Sequence, residues 1–281
     1  MSRARLPVGE PPGADVLDAF GATHQPRLLA GGMGRTYRSG DLVLKPVDGP
    51  PGQHEWMCEV FDTWPAGDRV RVPRPVRTLD GAWSAHGWAA HRWVPGRTAR
   101  CGEDPAAFRR TCDAFHDAVS GLARPDFLDA RDDPWSHGDR VAFGEAEPVG
   151  PPEVLALLEP LLAATRPLAL EPQVIHGDLG GNVLRAPGRP DAVIDWPPYF
   201  RPRDLALAII ATDAVAWEGA PERLLDAWAD VPGWSQLMVR AVVCRVATRG
   251  RHEHLGWPTT DSVEKYADRR RPSVEMVLRR V

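Results

Sequence analysis

The character of the sequence changes at Pro95-Gly96, and this change limits the possible folds more than any other feature. Before it, short apolar segments alternate with glycine-rich turns, as in a small antiparallel sheet. After it, apolar residues recur mostly at helical spacing. The sequence therefore predicts an α+β chain, with a sheet-based N-terminal lobe at 1–94 and a mainly helical C-terminal lobe at 95–281.

The N-terminal lobe predicts a strand, a glycine-rich turn and two further strands within residues 26–48. Ser39-Gly40 marks the turn between the last two of these strands. A helix is expected at about 53–64, and the segment that follows it is typical of a further hairpin. These elements together describe a small antiparallel sheet with a helix.

The C-terminal lobe shows six stretches of helical periodicity, at about 105–123, 152–164, 203–217, 221–230, 234–248 and 261–280. Between the first two lies an aspartate-rich stretch, 124–152, which we expect to be a long polar loop. Two short β segments, QVIHG and DAVIDW, lie between the second and third helices.

Composition excludes several classes of protein. With 281 residues, 43% of them hydrophobic, the chain can bury a core of enzyme size. The net charge of -4 gives no basic field for nucleic acid or an anionic membrane, and the apolar runs fall short of the roughly 20 residues that span a bilayer. We expect a soluble, cytoplasmic protein, because no secretory signal is visible. The four scattered cysteines indicate neither a zinc site nor a disulfide framework.

The strongest chemical signal is the stretch VIHGDLGGNVLRAPGRPDAVIDW, residues 174–196. Asp178 follows one β segment and Asp195 ends the next, while Asn182 is the only asparagine in the chain. Because both aspartates follow short strands, we expect these three side chains to converge. Carboxylate and amide oxygens suit Mg²⁺, which takes few protein ligands and completes its shell with water and phosphate.

This arrangement resembles the aminoglycoside phosphotransferase and choline-kinase-like small-molecule kinases, which share the bilobal protein-kinase fold. The resemblance implies that Asp178 is the catalytic base and that His176 anchors the catalytic loop. It also implies that Asn182 and Asp195 hold the metal ions that bridge the nucleotide phosphates. Asp204 matches a family aspartate that supports this region from the start of the next helix.

The resemblance extends to the N-terminal lobe. Lys45, one of only two lysines, lies on the third strand, where such kinases place the lysine that neutralises the α and β phosphates. Its carboxylate partner is expected on the following helix, where Glu59 suits by spacing and Glu55 is the alternative. The flexible loop over the phosphates would contain Gly31, Gly32 and Gly34. The hinge that binds the adenine edge through its backbone would lie at Arg92, Trp93 and Val94.

One feature departs from the family pattern. Relatives usually have five steps from the catalytic aspartate to the metal-binding asparagine, whereas Asp178 and Asn182 are four steps apart. The flexible backbone of Gly180-Gly181 could accommodate a tighter turn. The short loop and the segment DPWSHGDRVAFGE resemble a less characterised actinobacterial branch of the superfamily.

The resemblance implies an ATP-dependent O-phosphotransferase that needs Mg²⁺, with GTP as the alternative donor. The acceptor would be a hydroxyl of a small molecule, either an antibiotic or a metabolite. Charge leaves the choice open, because residues from 221 onward are mildly basic whereas 125–150 carry seven acids and two arginines. The competing hypothesis is a nucleotide-binding pseudokinase or ligand sensor. A protein kinase fits less well, because WPPYFRPRD is too short for an ordinary activation segment.

Overall fold

The computed structural model describes residues 9–31, 34–65 and 69–281. By internal contacts the chain divides into two compact units. The first extends to Arg97 and also contains Leu184–Ile194. The second contains Thr98–Val183 and Asp195–Val281.

The first unit is built on a six-stranded antiparallel sheet. In chain order its strands are β1 (Arg27–Leu28), β2 (Tyr37–Ser39), β3 (Leu42–Pro46), β4 (Pro75–Val76), β5 (Ser84–Ala85) and β6 (Trp88–Arg92). In space they follow the order β1-β2-β3-β6-β4, and β5 also pairs with β6. Two helices accompany the sheet in the part of this unit that the structure describes, α1 (Ala14–Ala19) and α2 (Gln53–Asp62).

The predicted β2–β3 hairpin is confirmed. Its turn contains Gly40 at a φ of +62°, which is a left-handed conformation that favours glycine. Leu42 and Leu44 of β3 are buried against Val16 of α1 and Phe20, the residue that follows α1. The alternation of buried and partly exposed positions along β3 therefore gives the sheet one core face.

The second unit is mainly helical. Its helices are α3 (Pro105–Val119), α4 (Pro134–Ala142), α5 (Pro152–Ala164), α6 (Leu205–Trp217), α7 (Trp234–His254) and α8 (Val263–Leu278). Strands β8 (Pro172–His176) and β11 (Pro198–Pro202) form an antiparallel pair in this unit. Strand β10 (Ala192–Val193) lies in the Leu184–Ile194 segment of the first unit and belongs to a three-stranded sheet with β9 (Val183–Arg185) and β7 (Arg97–Thr98). An antiparallel N-terminal sheet and a helical C-terminal part are the architecture that the sequence predicts.

Two expected elements are wrong. The stretch 124–152 is not a continuous polar loop, because it contains α4. Asp133 caps this helix in a reciprocal box with Ser136, and Pro134 occupies the first turn, where its missing N–H costs nothing. The helix expected at 221–230 is only a short 3-10 helix at Glu222–Asp226.

Close helix packing gives the second unit its core. Gly138 of α4 lies so near α7 that a Cβ there would overlap the Thr248 hydroxyl and the Cys244 carbonyl. Helix α6 is buried along most of its length, as its nearly continuous apolar sequence requires. Among the residues described, no helix is long and apolar enough to cross a membrane.

Candidate active site

The β8–β11 pair brings the two sequence segments of the expected site together. His176 at the end of β8 lies opposite Pro198 at the start of β11. Just beyond this pair, the Gly177 N–H donates to the Pro197 carbonyl at 3.0 Å. The Trp196 indole donates to the Ile175 carbonyl, also at 3.0 Å. The loop that carries Asp178 and the chain just after Asp195 therefore share a hydrogen-bonded framework.

His176 is completely buried at the base of the loop. Its Nδ1 accepts a hydrogen bond from the Asp178 N–H at 3.1 Å, and its own backbone N–H donates to His116 Nε2 at 3.1 Å. His116 Nδ1 lies 2.7 Å from the Cys112 carbonyl, to which it donates when Nε2 is the acceptor. This chain of hydrogen bonds fixes the backbone of Asp178 from inside the core, and the role of His176 as the anchor of a catalytic loop stays a prediction.

The short loop from Asp178 to Asn182 closes as a compact turn. The Asn182 N–H donates to the Leu179 carbonyl at 3.0 Å, and Gly181 adopts a φ of +82°. The Asn182 side-chain NH₂ donates to the Asp178 carbonyl at 2.6 Å. Since the amide nitrogen is used inside the loop, the amide oxygen is the atom that Asn182 offers to a ligand.

Asp195 has a φ of +51° and is one of two non-glycine residues with a positive φ among those the structure describes. Such a conformation costs on the order of 1–3 kcal/mol, and it is found preferentially at functional sites. It lies two residues after β10 and two residues before the Pro197 carbonyl that binds Gly177. The strained backbone indicates that the surrounding structure holds Asp195 in this position.

The donor set around this loop fits a hard divalent cation. An amide oxygen from Asn182 and a carboxylate from Asp195 are both ligands that Mg²⁺ accepts. No group of three or more His, Cys, Asp or Glu side chains in the described ranges is arranged to hold a metal. A site built from two protein ligands therefore needs water and phosphate oxygens to complete the shell.

Arg245 of α7 contacts Asp178, and sequence reasoning missed it. Its guanidinium donates to Asp178 Oδ1 at 2.5 Å and to Asp213 Oδ2 of α6 at 2.8 Å. The Asp178 side chain is 48% exposed, whereas those of Arg245 and Asp213 are 17% and 19% exposed. A charged residue inside the apolar run LMVRAVVCRVA was the available signal, because a buried arginine requires a carboxylate partner.

Asp204 lies at the N-terminus of α6, where no side-chain cap hydrogen bond is made. Burial raises the pKa of its carboxyl above the usual range, while the neighbouring Arg203 opposes this change. Arg203 itself bonds Asp113 and Asp117 of α3 at 3.0 and 2.8 Å. The supporting role expected for Asp204 remains a prediction.

In the first unit, Lys45 lies on β3 opposite Ala89 of β6, on the strand where the sequence predicts it. Burial and the Glu55 carboxylate raise the pKa of the Cys58 thiol to about 12, and the Lys45 ammonium acts in the opposite direction. Glu55 and Lys45 therefore act on the same buried thiol. The choice between Glu55 and Glu59 as the partner of Lys45 stays a prediction.

The glycine-rich loop is described in part. Gly31 and Gly34 have φ values of +97° and +72°, and the Gly34 N–H donates to the Gly31 carbonyl at 3.1 Å. Gly32 lies outside the described residues. A turn with two left-handed glycines can bring backbone N–H groups close to a phosphate.

The expected hinge follows β6. The Arg92 N–H donates to the Arg74 carbonyl and the Trp93 N–H to the Asp41 carbonyl, both at 2.7 Å. Both donors are thus used within the first unit. An adenine contact through a hinge N–H would consequently fall to Val94.

Comparison with known proteins identifies the family. The family model for phosphotransferase enzymes (APH) matches residues 35–238, which is more than half of the chain. The chain belongs to the phosphotransferase enzyme family. The predicted resemblance to aminoglycoside phosphotransferases is confirmed at this level. No curated protein sequence matches the chain significantly.

Several solved structures are similar in fold to this member of the phosphotransferase enzyme family. A spectinomycin phosphotransferase in complex with ADP and spectinomycin is 12% identical, covers 90% of this chain and 92% of its own, and has a TM-score of 0.55. An amicoumacin kinase in complex with AMP-PNP and Ca²⁺ is 14% identical, covers 92% and 89%, and has a TM-score of 0.58. A choline/ethanolamine kinase family protein from Mesorhizobium loti is 17% identical, covers 92% and 89%, and has a TM-score of 0.59. At these identities the likeness shows the bilobal protein-kinase-like fold.

Proposed function

We propose that this phosphotransferase moves the γ-phosphoryl group of ATP to a hydroxyl of a small molecule, with GTP as the alternative donor. The observation that supports this most is the placement of Asp178. Its carboxylate is half exposed, while its backbone is held by His176 and Asn182. A carboxylate held in this way suits the base that receives the proton of the acceptor hydroxyl.

The chemistry required of Asp178 is limited. As the acceptor oxygen bonds to the γ-phosphorus, its proton passes to the Asp178 carboxylate. The bond from the γ-phosphorus to the β–γ bridging oxygen breaks, and the nucleoside diphosphate leaves with that oxygen. Positioning and charge neutralisation supply most of the rate in reactions of this class.

Asn182 and Asp195 would hold Mg²⁺. When bound, the metal offsets the negative charge of the nucleotide phosphates. The Asn182 amide contributes an oxygen ligand without a further negative charge beside those phosphates. This gives a reason for placing the only asparagine of the chain in this loop.

We assign nucleotide binding to the lobe 1–94 and the catalytic loop and acceptor site to the lobe 95–281. Lys45 would neutralise the α and β phosphates, and Glu59 or Glu55 would orient it. The phosphate loop would comprise Gly31, Gly32 and Gly34, and the hinge Arg92, Trp93 and Val94. Gly31 and Gly34 support this assignment by their left-handed backbone.

Charge pairing favours a neutral or weakly charged acceptor over a polycationic aminoglycoside. Binding several ammonium groups requires carboxylates that are available to pair with them. Five acids of the stretch 125–150 instead pair with arginines of this chain: Asp129 with Arg124, Asp132 with Arg140 and Arg251, Asp133 with Arg131, and both Asp139 and Glu145 with Arg201. The acceptor would be an antibiotic, as the names of two similar kinases suggest, or a metabolic alcohol. The chain would belong to the actinobacterial branch named above.

The second candidate is a pseudokinase or ligand sensor that binds nucleotide without transferring phosphate. The contact of Arg245 with Asp178 favours it, because one oxygen of the proposed base is already occupied. The four-step loop also departs from the family pattern. Release of inorganic phosphate from Mg·ATP separates the two candidates, since a sensor binds nucleotide without hydrolysing it.

Thermal unfolding with ATP, with and without Mg²⁺, tests the nucleotide and metal sites. At a ligand concentration a hundred times Kd, wild type should gain roughly 5 to 10 °C in Tm with Mg·ATP. Asn182→Ala should lose the Mg²⁺-dependent part of this gain and keep the Tm of the free protein. No gain with either ATP or GTP would contradict the proposal.

A further inference from the structure

If Asp178 is the base of the proposed function, its contacts identify a residue that positions its carboxylate. We propose that Arg245 fixes the Asp178 carboxylate, binding Oδ1 and leaving Oδ2 to accept the hydroxyl proton. The Arg245 Nη2 group lies 2.5 Å from Asp178 Oδ1. The two residues are 67 positions apart in the sequence and belong to different elements.

Arg245 can hold Asp178 because its own position is fixed. Its Nε donates to Asp213 Oδ2 at 2.8 Å, and its backbone carbonyl accepts a hydrogen bond from the Tyr266 hydroxyl at 3.2 Å. The planar guanidinium directs its donors in a rigid fork, so fixing one edge aims the other. Burial opposes the charge of Arg245, but Asp213 and Asp178 outweigh it and raise its pKa well above the usual value.

Asp213 is in turn held from a third helix. Arg270 of α8 is completely buried, and its Nη2 lies 3.7 Å from Asp213 Oδ1. No guanidinium nitrogen of Arg270 has a hydrogen-bond partner among the described residues. Its guanidinium carbon lies 5.5 Å from the centre of the Trp217 ring, and turning Asp213 away from Arg245 would remove the carboxylate that lies within ion-pair distance of Arg270.

The Asp178–Arg245 contact is better suited to positioning than to stability. Because the Asp178 side chain is 48% exposed, solvent screens the pair and its contribution to unfolding stability is small. A catalytic group, in contrast, must be held within about half an ångström of its productive position. The backbone of Asp178 is fixed by His176, and Arg245 supplies the corresponding restraint on the carboxylate.

Phosphate release from Mg·ATP, with water as acceptor, tests the consequence for catalysis. Arg245→Gln should lower kcat by about 10- to 100-fold while leaving the KM for ATP unchanged. Arg245→Lys should restore part of the lost kcat, because its ammonium can reach a carboxylate but cannot bridge two in the same fork. Arg249→Gln, one turn along α7, is the matched control: Arg249 pairs with Glu253, so its loss should leave kcat unchanged.

A second measurement tests the pair without reference to activity. The Tm values of wild type, Arg245→Gln, Asp178→Ala and the double variant form a cycle. Arg245→Gln should lower the Tm by roughly 2 °C less in the Asp178→Ala background than in wild type. Arg249→Gln should lower the Tm by the same amount in both backgrounds. An additive Arg245–Asp178 cycle would overturn the proposal, as would an unchanged kcat in Arg245→Gln. A wild type that transfers phosphate neither to water nor to any hydroxylated acceptor of a panel would contradict the proposed function, and the cycle would still decide whether Arg245 holds Asp178.

Discussion

Gly177 of the candidate active site has no space for a side chain. It lies between His176 and Asp178, and a Cβ built on it would overlap two ring carbons of Tyr199. The tyrosine ring is buried and cannot move aside without disturbing β11. The glycine in the His-Gly-Asp motif is therefore required by packing, in addition to any requirement of the backbone.

We expect Gly177→Ala to lower the free energy of unfolding by about 1–3 kcal/mol, because the methyl group would overpack the site. Gly180→Ala is the matched control in the same loop, since a Cβ there has its nearest neighbour, the Ile210 Cα, at 4.0 Å. Chemical denaturation of both variants measures the difference. Equal loss of stability in the two would show that Tyr199 does not make Gly177 necessary.

Two single substitutions on α2 together identify the carboxylate partner of Lys45. Because Glu55 and Lys45 both act on the Cys58 thiol, we expect Glu55→Gln to raise the KM for ATP more than Glu59→Gln does. Loss of a single oriented ion pair predicts an increase of roughly 10-fold. Steady-state kinetics of Mg·ATP turnover measures both constants. A larger effect in Glu59→Gln would instead support the pairing chosen from sequence spacing.

Sequence reasoning proposed site residues that lie within a short motif and missed a residue that contacts one of them across the fold. His176, Asp178 and Asn182 lie within seven positions, so their relation is visible in one dimension. Arg245 reaches Asp178 only because α7 packs behind the catalytic loop, and no local pattern contains this information. The same reason leaves Glu55 and Glu59 unresolved from spacing, since both lie on one helix and one turn apart.

At the scale of elements, helix α3 supports strand β8 through a buried histidine. His116 accepts a hydrogen bond from the His176 N–H, and its Nδ1 lies beside the Cys112 carbonyl. Burial lowers the pKa of His116 to about 3, and the bond to Cys112 only partly offsets this. His116 therefore stays neutral in the folded protein well below the usual pKa of a histidine.

This histidine predicts a loss of stability in acid. The unfolded chain binds a proton at His116 below a pH of about 6.5, whereas the folded protein does not until about pH 3. Its contribution is present above pH 6.5 and falls by up to about 1.4 kcal/mol for each pH unit below it. We expect His116→Gln to reduce the slope of unfolding free energy against pH between 6.5 and 4. An identical slope in wild type and variant would refute this assignment.

Helix α4 shows why one element escaped prediction. Its sequence, PWSHGDRVA, has only nine residues, too few for apolar periodicity to be recognised. The informative signal was local: Asp133 before Pro134, with Ser136 at the position that completes a capping box. Helix α7 was instead predicted too short, because its last turn contains Arg251, His252 and His254, which favour a helix C-terminus as well as a loop.

At the scale of the whole molecule, the change in sequence character at Pro95-Gly96 predicted the fold class, which is confirmed, whereas the lobe bounds 1–94 and 95–281 stay a prediction. The antiparallel sheet precedes it and the long helices follow it. The return of Leu184–Ile194 to the first unit was not foreseen, since it depends on contacts such as the Arg71 N–H to the Asp191 carbonyl at 2.9 Å. Such a contact joins residues 120 positions apart.

The proposed roles are divided between the units. Lys45, the glycine-rich loop and the hinge belong to the first unit, and the proposed base and metal ligands belong to the second. Membership of the phosphotransferase enzyme family and the bilobal fold are shown, and the assignment of roles to the units is part of the proposal. The account depends most on Asp178, because every other proposed role serves the transfer that Asp178 assists.

The most direct measurement is Mg·ATP turnover by wild type and Asp178→Ala, with water and a panel of hydroxylated antibiotics and metabolites as acceptors. Mass spectrometry detects the phosphorylated acceptor, and nucleotide titration monitors ATP binding. We predict transfer to a hydroxyl by wild type and a loss of at least about 100-fold in Asp178→Ala, with the affinity for Mg·ATP retained. Substantial transfer by Asp178→Ala would contradict the account.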